Sequence, residues 1–334
     1  MKILFYDIKD IEFDYLLEHA FVQVEPYFIK TPLNSSTFID EKYLDTTAIS
    51  CFVHSQLNRN VLSKFKNLRY IFLRSVGYSN VDLEYCKEKD IKIFNTPNYG
   101  NSTVAEYTFA LLLSLVKKIS LAQNSIKNGT IEQSELTGVE LFGKTLGVIG
   151  VGAIGRKVIN IAHGFGMKVL AYDIQKIGAY DFVELDKLLE KSDIISINCP
   201  LNSTTKKLIN KETISKMKKE AIIINTARGE IIDTQDLYHA LINKKIKGAA
   251  LDVIECEEIL CQTHKKCSQN DFLQAHCLKK FFFIQKMFQL PNVIITPHNA
   301  YNTKEAQIRI LNITLENIKS SLNLSASTKN LVLI

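Results

Sequence analysis

The sequence predicts an α/β protein made of two domains, each built around a parallel sheet. Short apolar runs alternate with helical patterns along almost the whole chain, which is typical of parallel α/β architecture. With 334 residues, the chain is longer than one ordinary core requires. A glycine-rich strand-to-helix turn, which usually opens such a sheet, starts only at Gly150. Another α/β unit must therefore occupy roughly the first hundred residues.

Composition and charge narrow the class of protein. Hydrophobic residues make up 46% of the chain and charged residues 23%, the proportions of a globular protein in water. The net charge of +6 is mild and the lysines are dispersed, so we expect no nucleic-acid partner. Charges interrupt the first apolar run from Asp7 onward, and the apolar stretch Phe109–Val116 is too short for a membrane span. We expect a cytoplasmic protein that does not bind a membrane.

The seven cysteines of the chain are expected to be reduced thiols, since no export signal is evident. No Cys-x-x-Cys pair or other compact ligand spacing occurs among them, so we expect no metal site. A cysteine-containing surface insertion is the favoured interpretation of their clustering, and a zinc site is the alternative. The clustered residues are Cys256, Cys261, His264, Cys267, His276 and Cys277.

The N-terminal part of the chain shows its own alternation of strands and helices. After a polar turn at 98–102, a long helix is expected, with Thr103 as its N-cap and Glu106 completing a capping box. Its apolar face continues through Leu115 toward Ile126, a length suited to a connector between domains. The preceding expected strands are Lys2–Tyr6, Ala48–Val53, Arg69–Leu73 and Ile91–Phe94, and the expected helices are Asn58–Phe65 and Asp82–Lys89.

A second sheet is expected from Thr145 onward. The helix Thr303–Leu322 comes too late for this sheet and is expected to cross back to the first one. We therefore expect a discontinuous domain formed by 1–101 and 299–334, and a central domain formed by 102–298. The strands of the central domain are expected at 145–149, 168–172, 193–197, 221–225, 247–251 and 293–296.

The glycine-rich turn has the full context of a Rossmann dinucleotide-binding fingerprint. Gly150 allows the tight turn, Gly152 lets a pyrophosphate approach the backbone, and Gly155 lets helix and strand pack closely. Asp173 ends the next apolar run, where a carboxylate can accept hydrogen bonds from a ribose diol and repel a 2′-phosphate. The sequence therefore predicts NAD as cofactor in preference to NADP. A glycine-rich turn without a ligand is disfavoured, because strand, helix and acid occur together.

Three polar residues follow strands of the central domain, at the edge where open α/β sheets bind ligands. Arg228 can hold a carboxylate in a planar, bidentate geometry. His298 can protonate a carbonyl oxygen as hydride arrives, and Glu257 can orient the imidazole and favour its protonated form. Each alone has an ordinary structural explanation. Together, behind a dinucleotide fingerprint, they predict reduction of a 2-oxo acid by NADH.

With these motifs, the chain resembles the D-isomer-specific 2-hydroxyacid dehydrogenases over essentially its full length. The resemblance implies a central NAD domain inserted in a discontinuous, flavodoxin-like substrate domain, both Rossmann-like, and a homodimer built largely on the cofactor domains. The matching motifs are Gly150–Gly155 with Asp173, Asn225–Gly229, Leu251–Val253 with Glu255 and Glu257, and Thr296–His298 with Ala300.

The resemblance also implies roles for individual residues. Arg228 is expected to bind substrate, His298 to act as acid/base, and Glu257 to be the partner of His298, which makes these three the expected catalytic residues. The N–H groups of Val76 and Gly77 are expected to receive the substrate carboxylate. Cofactor contacts are expected at Gly150, Gly152, Ala153, Ile154, Gly155, Asp173, Cys199, Pro200, Thr205, Thr226, Ala227, Arg228, Asp252 and His298.

Within the family, several features resemble the D-lactate dehydrogenases, including those of vancomycin resistance. The features shared with D-lactate dehydrogenases are the long segment between Glu257 and His298, Arg74-Ser75, Tyr99 and the pair Ala300-Tyr301. Those that most resemble the vancomycin-resistance enzymes are Glu257-Glu258, Cys267-Ser268-Gln269 and His54. Tyr99, Tyr301 and His54 are therefore expected to contact substrate, although His54 could equally cap a strand. The resemblance implies NAD-dependent reduction of pyruvate to D-lactate.

Other functions remain open at the level of sequence. A larger 2-oxo acid or hydroxypyruvate could be the substrate, because Asn302 replaces an aromatic residue that D-lactate enzymes often carry. Asn198 stands where the family often has histidine, which could change a cofactor-loop hydrogen bond. An NADH-sensing, corepressor-like binding protein is the alternative from another class, since this fold also serves such proteins.

Overall fold

The computed structural model describes residues 1–19, 24–257, 271–322 and 329–332 of the chain. Its strands are β1 Lys2–Tyr6, β2 Glu25–Ile29, β3 Ala48–Cys51, β4 Tyr70–Leu73, β5 Lys92–Phe94, β6 Thr145–Ile149, β7 Lys168–Tyr172, β8 Ile194–Ile197, β9 Ile222–Asn225, β10 Gly248–Leu251 and β11 Val293–Ile295. Its α-helices are α1 Asp10–Glu18, α2 Arg59–Leu62, α3 Leu83–Glu88, α4 Asn101–Val116, α5 Ile119–Asn128, α6 Ala153–Gly164, α7 Leu185–Lys191, α8 Lys211–Ser215, α9 Thr234–Ile242, α10 Asp271–Met287 and α11 Lys304–Leu322.

The chain divides into a first unit, Met1–Tyr99 with Asn302–Ile334, and a second unit, Gly100–Tyr301. Each contains its own doubly wound parallel sheet with helices, so the predicted α/β class is confirmed. None of the helices in the described parts of the chain is long and apolar enough to cross a membrane.

In the first unit, a five-stranded sheet has the order β2-β1-β3-β4-β5. Its central strands are buried apolar runs, as expected where helices cover both faces of a parallel sheet. The C-terminal helix α11 packs against this sheet, with Leu311, Leu315 and Ile318 in one buried cluster with Ile3 and Phe5. The late helix therefore does return to the first sheet, as the sequence predicts.

In the second unit, a six-stranded sheet has the order β11-β10-β9-β8-β6-β7. All neighbouring strands are parallel, so their carboxyl ends lie at one edge. The chain leaves β6 to form β7 on one side and returns to form β8 on the other side. This reversal creates a crevice between the ends of β6 and β8, where ligands of such sheets bind.

Two features of the fold differ from the expectations. Strand β2 was not predicted, because a half-exposed edge strand containing Pro26 lacks the continuous apolar run of a buried strand. The expected long helix begins at Asn101 and not after Thr103, which is buried inside its first turn. It also ends at Val116, because Lys118 adopts a left-handed backbone conformation with φ of 54° before α5 begins.

The expectation that all cysteines are reduced is wrong. Cys256 and Cys277 form a disulfide, with their Cα atoms 5.7 Å apart. Pairing depends on which segments meet in space and cannot be deduced from cysteine spacing. Here α10 packs on α9, with the rings of Phe283 and Tyr238 in contact, and this packing brings Cys277 to the loop after β10.

Candidate active site

The carboxyl ends of all six strands of the second sheet lie level with one another. Every cofactor and catalytic residue predicted in this unit follows one of these ends within a few residues, except Thr205, in the loop after β8. The strand register aligns the last residues of the six strands, which are, in spatial order from β7 to β11, Tyr172, Ile149, Ile197, Asn225, Leu251 and Ile295. The predicted residues therefore share one edge of one sheet.

The three glycines of the β6–α6 turn face different surroundings. Gly150 has φ of +92°, and a Cβ atom built on it would lie 2.6 Å from the backbone N of Cys199. A Cβ atom on Gly155 would lie 2.0 Å from the carbonyl oxygen of Gly150. Around Gly152, by contrast, nothing lies within 4 Å of such an atom. The turn thus needs Gly150 and Gly155 for packing and leaves space at Gly152, in front of the N-terminus of α6 with Ala153 and Ile154 in its first turn.

The carboxylate of Asp173 is held beside this turn. Its Oδ2 accepts a hydrogen bond of 2.6 Å from the backbone N–H of Val151, and its Oδ1 accepts one of 2.9 Å from Gln175. These bonds place a negative charge next to the glycine turn, at the end of β7. This is the position from which a ribose would be recognised.

The loop after β8 forms the other wall of the crevice. Burial raises the pKa of the Cys199 thiol to about 11, so this group is neutral at physiological pH. The hydroxyl of Thr205 donates to the carbonyl oxygen of Pro200 at 2.6 Å and closes the loop. The side-chain Nδ2 of Asn198 donates to Ser196, while its Oδ1 is buried with no hydrogen-bond partner in the described part of the chain. A buried free acceptor at this point fits a site that receives a polar ligand.

The loop after β9 is shaped by a residue to which the sequence analysis gave no role. The amide of the buried Asn225 accepts from the N–H of Ala227 at 3.0 Å and donates to the carbonyl of Arg228 at 2.8 Å. The hydroxyl of Thr226 is hydrogen-bonded to Thr108 of α4 at 3.0 Å. Between them these bonds fix the backbone of the loop, while the side chain of Arg228 is exposed.

The loops after β9 and β10 touch through backbone. A Cβ atom on Gly229 would lie 2.1 Å from the carbonyl carbon of Ile254, so only glycine allows this approach. The contact brings the segment after Arg228 directly against the segment that leads to Glu257.

His298 and Glu257 are in contact, as predicted. The Nδ1 atom of His298 lies 2.7 Å from Oε1 of Glu257, and both side chains are partly exposed. Because Nδ1 is engaged by the carboxylate, Nε2 is the nitrogen that remains for a substrate. Tyr301 lies edge-on to the imidazole, with ring centroids 6.4 Å apart.

Asp252 is buried and holds the turn that carries His298. Its Oδ1 accepts from the Thr296 hydroxyl at 2.5 Å and from the N–H of Asn299 at 2.8 Å. Its Oδ2 accepts from the N–H of Ala300 at 2.8 Å. Both carboxylate oxygens are therefore engaged by the β11 segment, which shows a positioning contact that the sequence analysis missed.

In the first unit, the loop after β4 presents two backbone donors. Neither the N–H of Val76 nor that of Gly77 has a hydrogen-bond partner among the described residues. The preceding Arg74 is fully buried, and its guanidinium donates to the carbonyls of Tyr6 and Asp7 at 2.7 and 2.8 Å. Arg74 thus fixes the base of the loop and leaves the two amides free.

The other expected substrate residues of the first unit are placed at strand and loop ends. His54 is exposed just beyond β3, in edge contact with Phe52. The carbonyl oxygen of Tyr99 accepts from Nε of Arg309 on α11 at 2.7 Å. These contacts leave the expected substrate roles of His54 and Tyr99 untested.

Several residues of the cysteine-containing segment lie outside the described residues. These are Cys261, His264 and Cys267, and the side chain of His276. Among the residues that are described, no group of histidine, cysteine and acidic side chains could hold a metal ion.

Comparison with known proteins relates this geometry to a family. The family model described as "D-isomer specific 2-hydroxyacid dehydrogenase, NAD binding domain" matches residues 109–300. The chain is 35% identical over 329 residues to D-lactate dehydrogenase kk1H of Curvularia clavata, covering 95% of this chain and 91% of that protein. It is 38% identical over 259 residues to the hydroxypyruvate reductase of Thermotoga maritima, covering 77% of this chain and 78% of that protein.

A solved structure extends the similarity to both units. The D-lactate dehydrogenase of Aquifex aeolicus, complexed with NAD and lactic acid, matches with a TM-score of 0.83 and 36% sequence identity. The match covers 99% of this chain and 98% of that chain.

Proposed function

The chain belongs to the D-isomer-specific 2-hydroxyacid dehydrogenases, NAD-dependent oxidoreductases, and we propose that it reduces pyruvate to D-lactate. The observation that carries the proposal is the 2.7 Å contact between His298 and Glu257 at the sheet edge that Arg228 shares. An imidazole paired with a carboxylate, at the same sheet edge as an exposed guanidinium, can deliver a proton to the carbonyl of a bound carboxylate substrate.

His298 is the proton donor in this proposal. Glu257 holds the Nδ1 side of the ring at 2.7 Å and so determines that Nε2 is presented to the substrate. The proton is then delivered from Nε2 to the carbonyl oxygen of the 2-oxo acid. In the reverse reaction, Nε2 takes the proton from the hydroxyl group.

Arg228 binds the substrate carboxylate in this proposal. A guanidinium offers two parallel N–H donors, which match a carboxylate better than the point charge of lysine does. The N–H groups of Val76 and Gly77 lack partners within the described residues, as a carboxylate-binding loop requires.

The turn after β6 fits the cofactor, NAD. When bound, the reduced cofactor supplies the hydride. The space at Gly152 and the N-terminus of α6 suit a pyrophosphate, and Asp173 suits an unphosphorylated ribose. The remaining proposed contacts are those of Ala153, Ile154, Cys199, Pro200, Thr205, Thr226, Ala227 and Asp252 along the same strand ends.

The substrate is tested by a panel of 2-oxo acids. NADH oxidation is followed with pyruvate, hydroxypyruvate, 2-oxoisocaproate and phenylpyruvate, and the product is resolved on a chiral column. We expect the highest kcat/KM with pyruvate and a D product. Hydroxypyruvate is the second candidate, since a relative that is 38% identical bears that activity in its name. Pyruvate ranking last, or an L product, would overturn the proposal.

A further inference from the structure

Three consecutive residues after β10 are each fixed by a different partner. Oε2 of Glu255 lies 2.8 Å from Nζ of Lys280 and accepts a 2.9 Å hydrogen bond from the N–H of Thr234. Cys256 is joined to Cys277 by the disulfide, and Glu257 contacts His298. Cys256 therefore lies between the ion-paired Glu255 and Glu257, the partner of His298, and it is itself covalently anchored.

Both anchors of this segment come from one face of α10. Cys277 and Lys280 are three positions apart, so they lie on the same side of the helix. Farther along α10, Ile284 and Met287 are buried in the core of the second unit. The helix is thus fixed to the core near its C-terminal end, and it restrains the Glu255–Glu257 segment through residues near its middle.

The two anchors differ in chemistry. The Lys280–Glu255 ion pair is buried, with side chains 8% and 7% exposed, and it contains no bond that a thiol could cleave. Cys256 and Cys277 are half-buried, so the disulfide joins residues that are less buried than those of the ion pair. In contrast, the free cysteines Cys51 and Cys86 are fully buried.

The backbone at Cys256 adds a second observation. Its φ is +56°, in the left-handed region that residues with a Cβ atom seldom adopt. The surrounding bonds must hold this conformation, and the disulfide is one of them. Without the disulfide, Cys256 is freer to leave this conformation, and the peptide that leads to Glu257 turns with it.

We propose that Cys256–Cys277 is a thiol–disulfide exchange site that controls how firmly Glu257 is held against His298. The co-reactant is a dithiol. One of its sulfurs attacks the bond as a thiolate, a mixed disulfide forms as the S–S bond breaks, and the second sulfur closes the new disulfide. Cys256 and Cys277 gain two electrons and two protons in total, and the dithiol loses them. Oxidation by a disulfide such as glutathione disulfide reverses the exchange.

This inference rests on the proposed function in one respect, namely that protonated His298 is the proton donor. In the disulfide form, Glu257 is held in place at Nδ1 and orients the imidazole. In the dithiol form, Glu257 spends less time at Nδ1, so reductive turnover falls. We expect kcat/KM to fall by about two- to 150-fold, which corresponds to the range of coupling between residues in contact.

The test compares two redox states of the full chain. One sample is oxidised with glutathione disulfide and the other is reduced with dithiothreitol, and both are then desalted. The state of Cys256 and Cys277 is established by iodoacetamide labelling and peptide mapping. kcat/KM for pyruvate is measured at several pH values, and we expect the reduced form to be the less active one.

Variants separate the site from general effects of the reagents. Cys277→Ser should show the reduced-form profile in both treatments, whereas Cys86→Ala should keep the full response of the native chain. Identical profiles for samples that mapping shows to be oxidised and reduced would overturn the inference. Failure of glutathione disulfide to join Cys256 to Cys277 would also overturn it.

A readout that does not depend on turnover keeps the two proposals distinct. The imidazole C–H signal of His298 in an NMR spectrum is assigned by its loss in His298→Ala and is compared between the two redox states. The chemical shift of this signal should change on reduction, because Glu257 spends less time at Nδ1. If neither state reduces any 2-oxo acid but the signal moves, the proposed function fails and the exchange site stands. An unmoved signal contradicts the exchange site even when turnover is normal.

Discussion

At the scale of single residues, the position of His298 is fixed by its backbone N–H and by hydrogen bonds of its neighbours, not by its side chain. Its φ is +50°, and its N–H donates to the carbonyl oxygen of Asp252 at 2.8 Å. The carboxylate of Asp252 binds the flanking residues Thr296, Asn299 and Ala300. The imidazole is thus presented by a strained turn that a buried acid stabilises.

The roles of His298 and Glu257 are tested by a pair of substitutions. His298→Ala removes the proton donor, so kcat should fall by about 10²- to 10⁴-fold while the affinity for NADH is retained. Glu257→Gln keeps a hydrogen-bonding group at Nδ1 but removes the charge, so kcat should fall by less than in His298→Ala. Steady-state kinetics and NADH fluorescence titration measure these effects. Parallel loss of turnover and NADH binding in His298→Ala would contradict the assigned role.

The thiol of Cys199 leads to a prediction of pH dependence. Burial raises its pKa to about 11, above the usual value for cysteine, so the thiolate is scarce below that pH. Alkylation of Cys199 by iodoacetamide should therefore be slow at pH 8 and should increase with pH up to about 11. Peptide mapping after timed labelling measures the rate. Rapid labelling at pH 7, with the protein still folded by circular dichroism, would contradict the prediction.

The position of Arg228 and His298 after strands of one sheet was predictable from residue types, and the His298–Glu257 contact was predictable from the family resemblance. Residue types and spacing could not predict Asn225, Asp252 or Lys280 as positioning groups. Buried polar residues within apolar strands and helices have no distinctive pattern along the chain. Their partners are known only when neighbouring loops are in place.

At the scale of elements, the β6–α6 turn separates two uses of glycine. Gly152 has φ of −72°, which any residue can adopt, and nothing lies within 4 Å of a Cβ atom there. Gly155, in contrast, is required because the backbone of Gly150 lies against it. One glycine therefore serves a ligand, and the other serves the packing of helix on strand.

Two alanine substitutions should separate these roles. Gly152→Ala should leave the free energy of unfolding within about 0.5 kcal/mol of the native value, but weaken NADH binding, because the methyl group occupies the space proposed for the pyrophosphate. Gly155→Ala should destabilise the fold by about 1–3 kcal/mol through overpacking. Urea unfolding and NADH titration measure both. Native NADH affinity in Gly152→Ala would exclude the proposed phosphate position.

Strands and helices were predictable where apolar runs are buried on both sides, as in β4, β8 and β9. The edge strand β2 and the break between α4 and α5 were not predictable. At β2, the side chains are half-exposed and no apolar run results. At the break, the apolar pattern continues across Lys118, so only its left-handed backbone separates the two helices.

At the scale of the whole molecule, the arrangement of two sheets followed from the late position of the glycine turn and the extra helix near the C-terminus. The disulfide did not follow, because it depends on how α10 packs against α9. Assembly is also a property of the whole chain, and the family resemblance predicts a homodimer built on the central domain.

The surface around α5 offers the most direct support for such a dimer. None of the residues of α5 is buried, yet Ile119 and Ile126 lie on one face of it and are 53% and 69% exposed. Phe142, which follows α5 in the same unit, is 79% exposed. Large apolar side chains in contact with water are typical of a surface that another subunit covers.

We therefore expect the native chain to elute as a dimer in size-exclusion chromatography with light scattering, and Ile126→Asp to shift it toward monomer. A buried charge without a partner disfavours association, whereas an exposed one on a monomer costs little. Asn124→Asp adds the same charge to the opposite face of α5 and should leave the dimer intact. Circular dichroism checks that both variants are folded. A native monomer, or a dimer that Ile126→Asp leaves unchanged at micromolar concentration, would show that this face of α5 is not the interface.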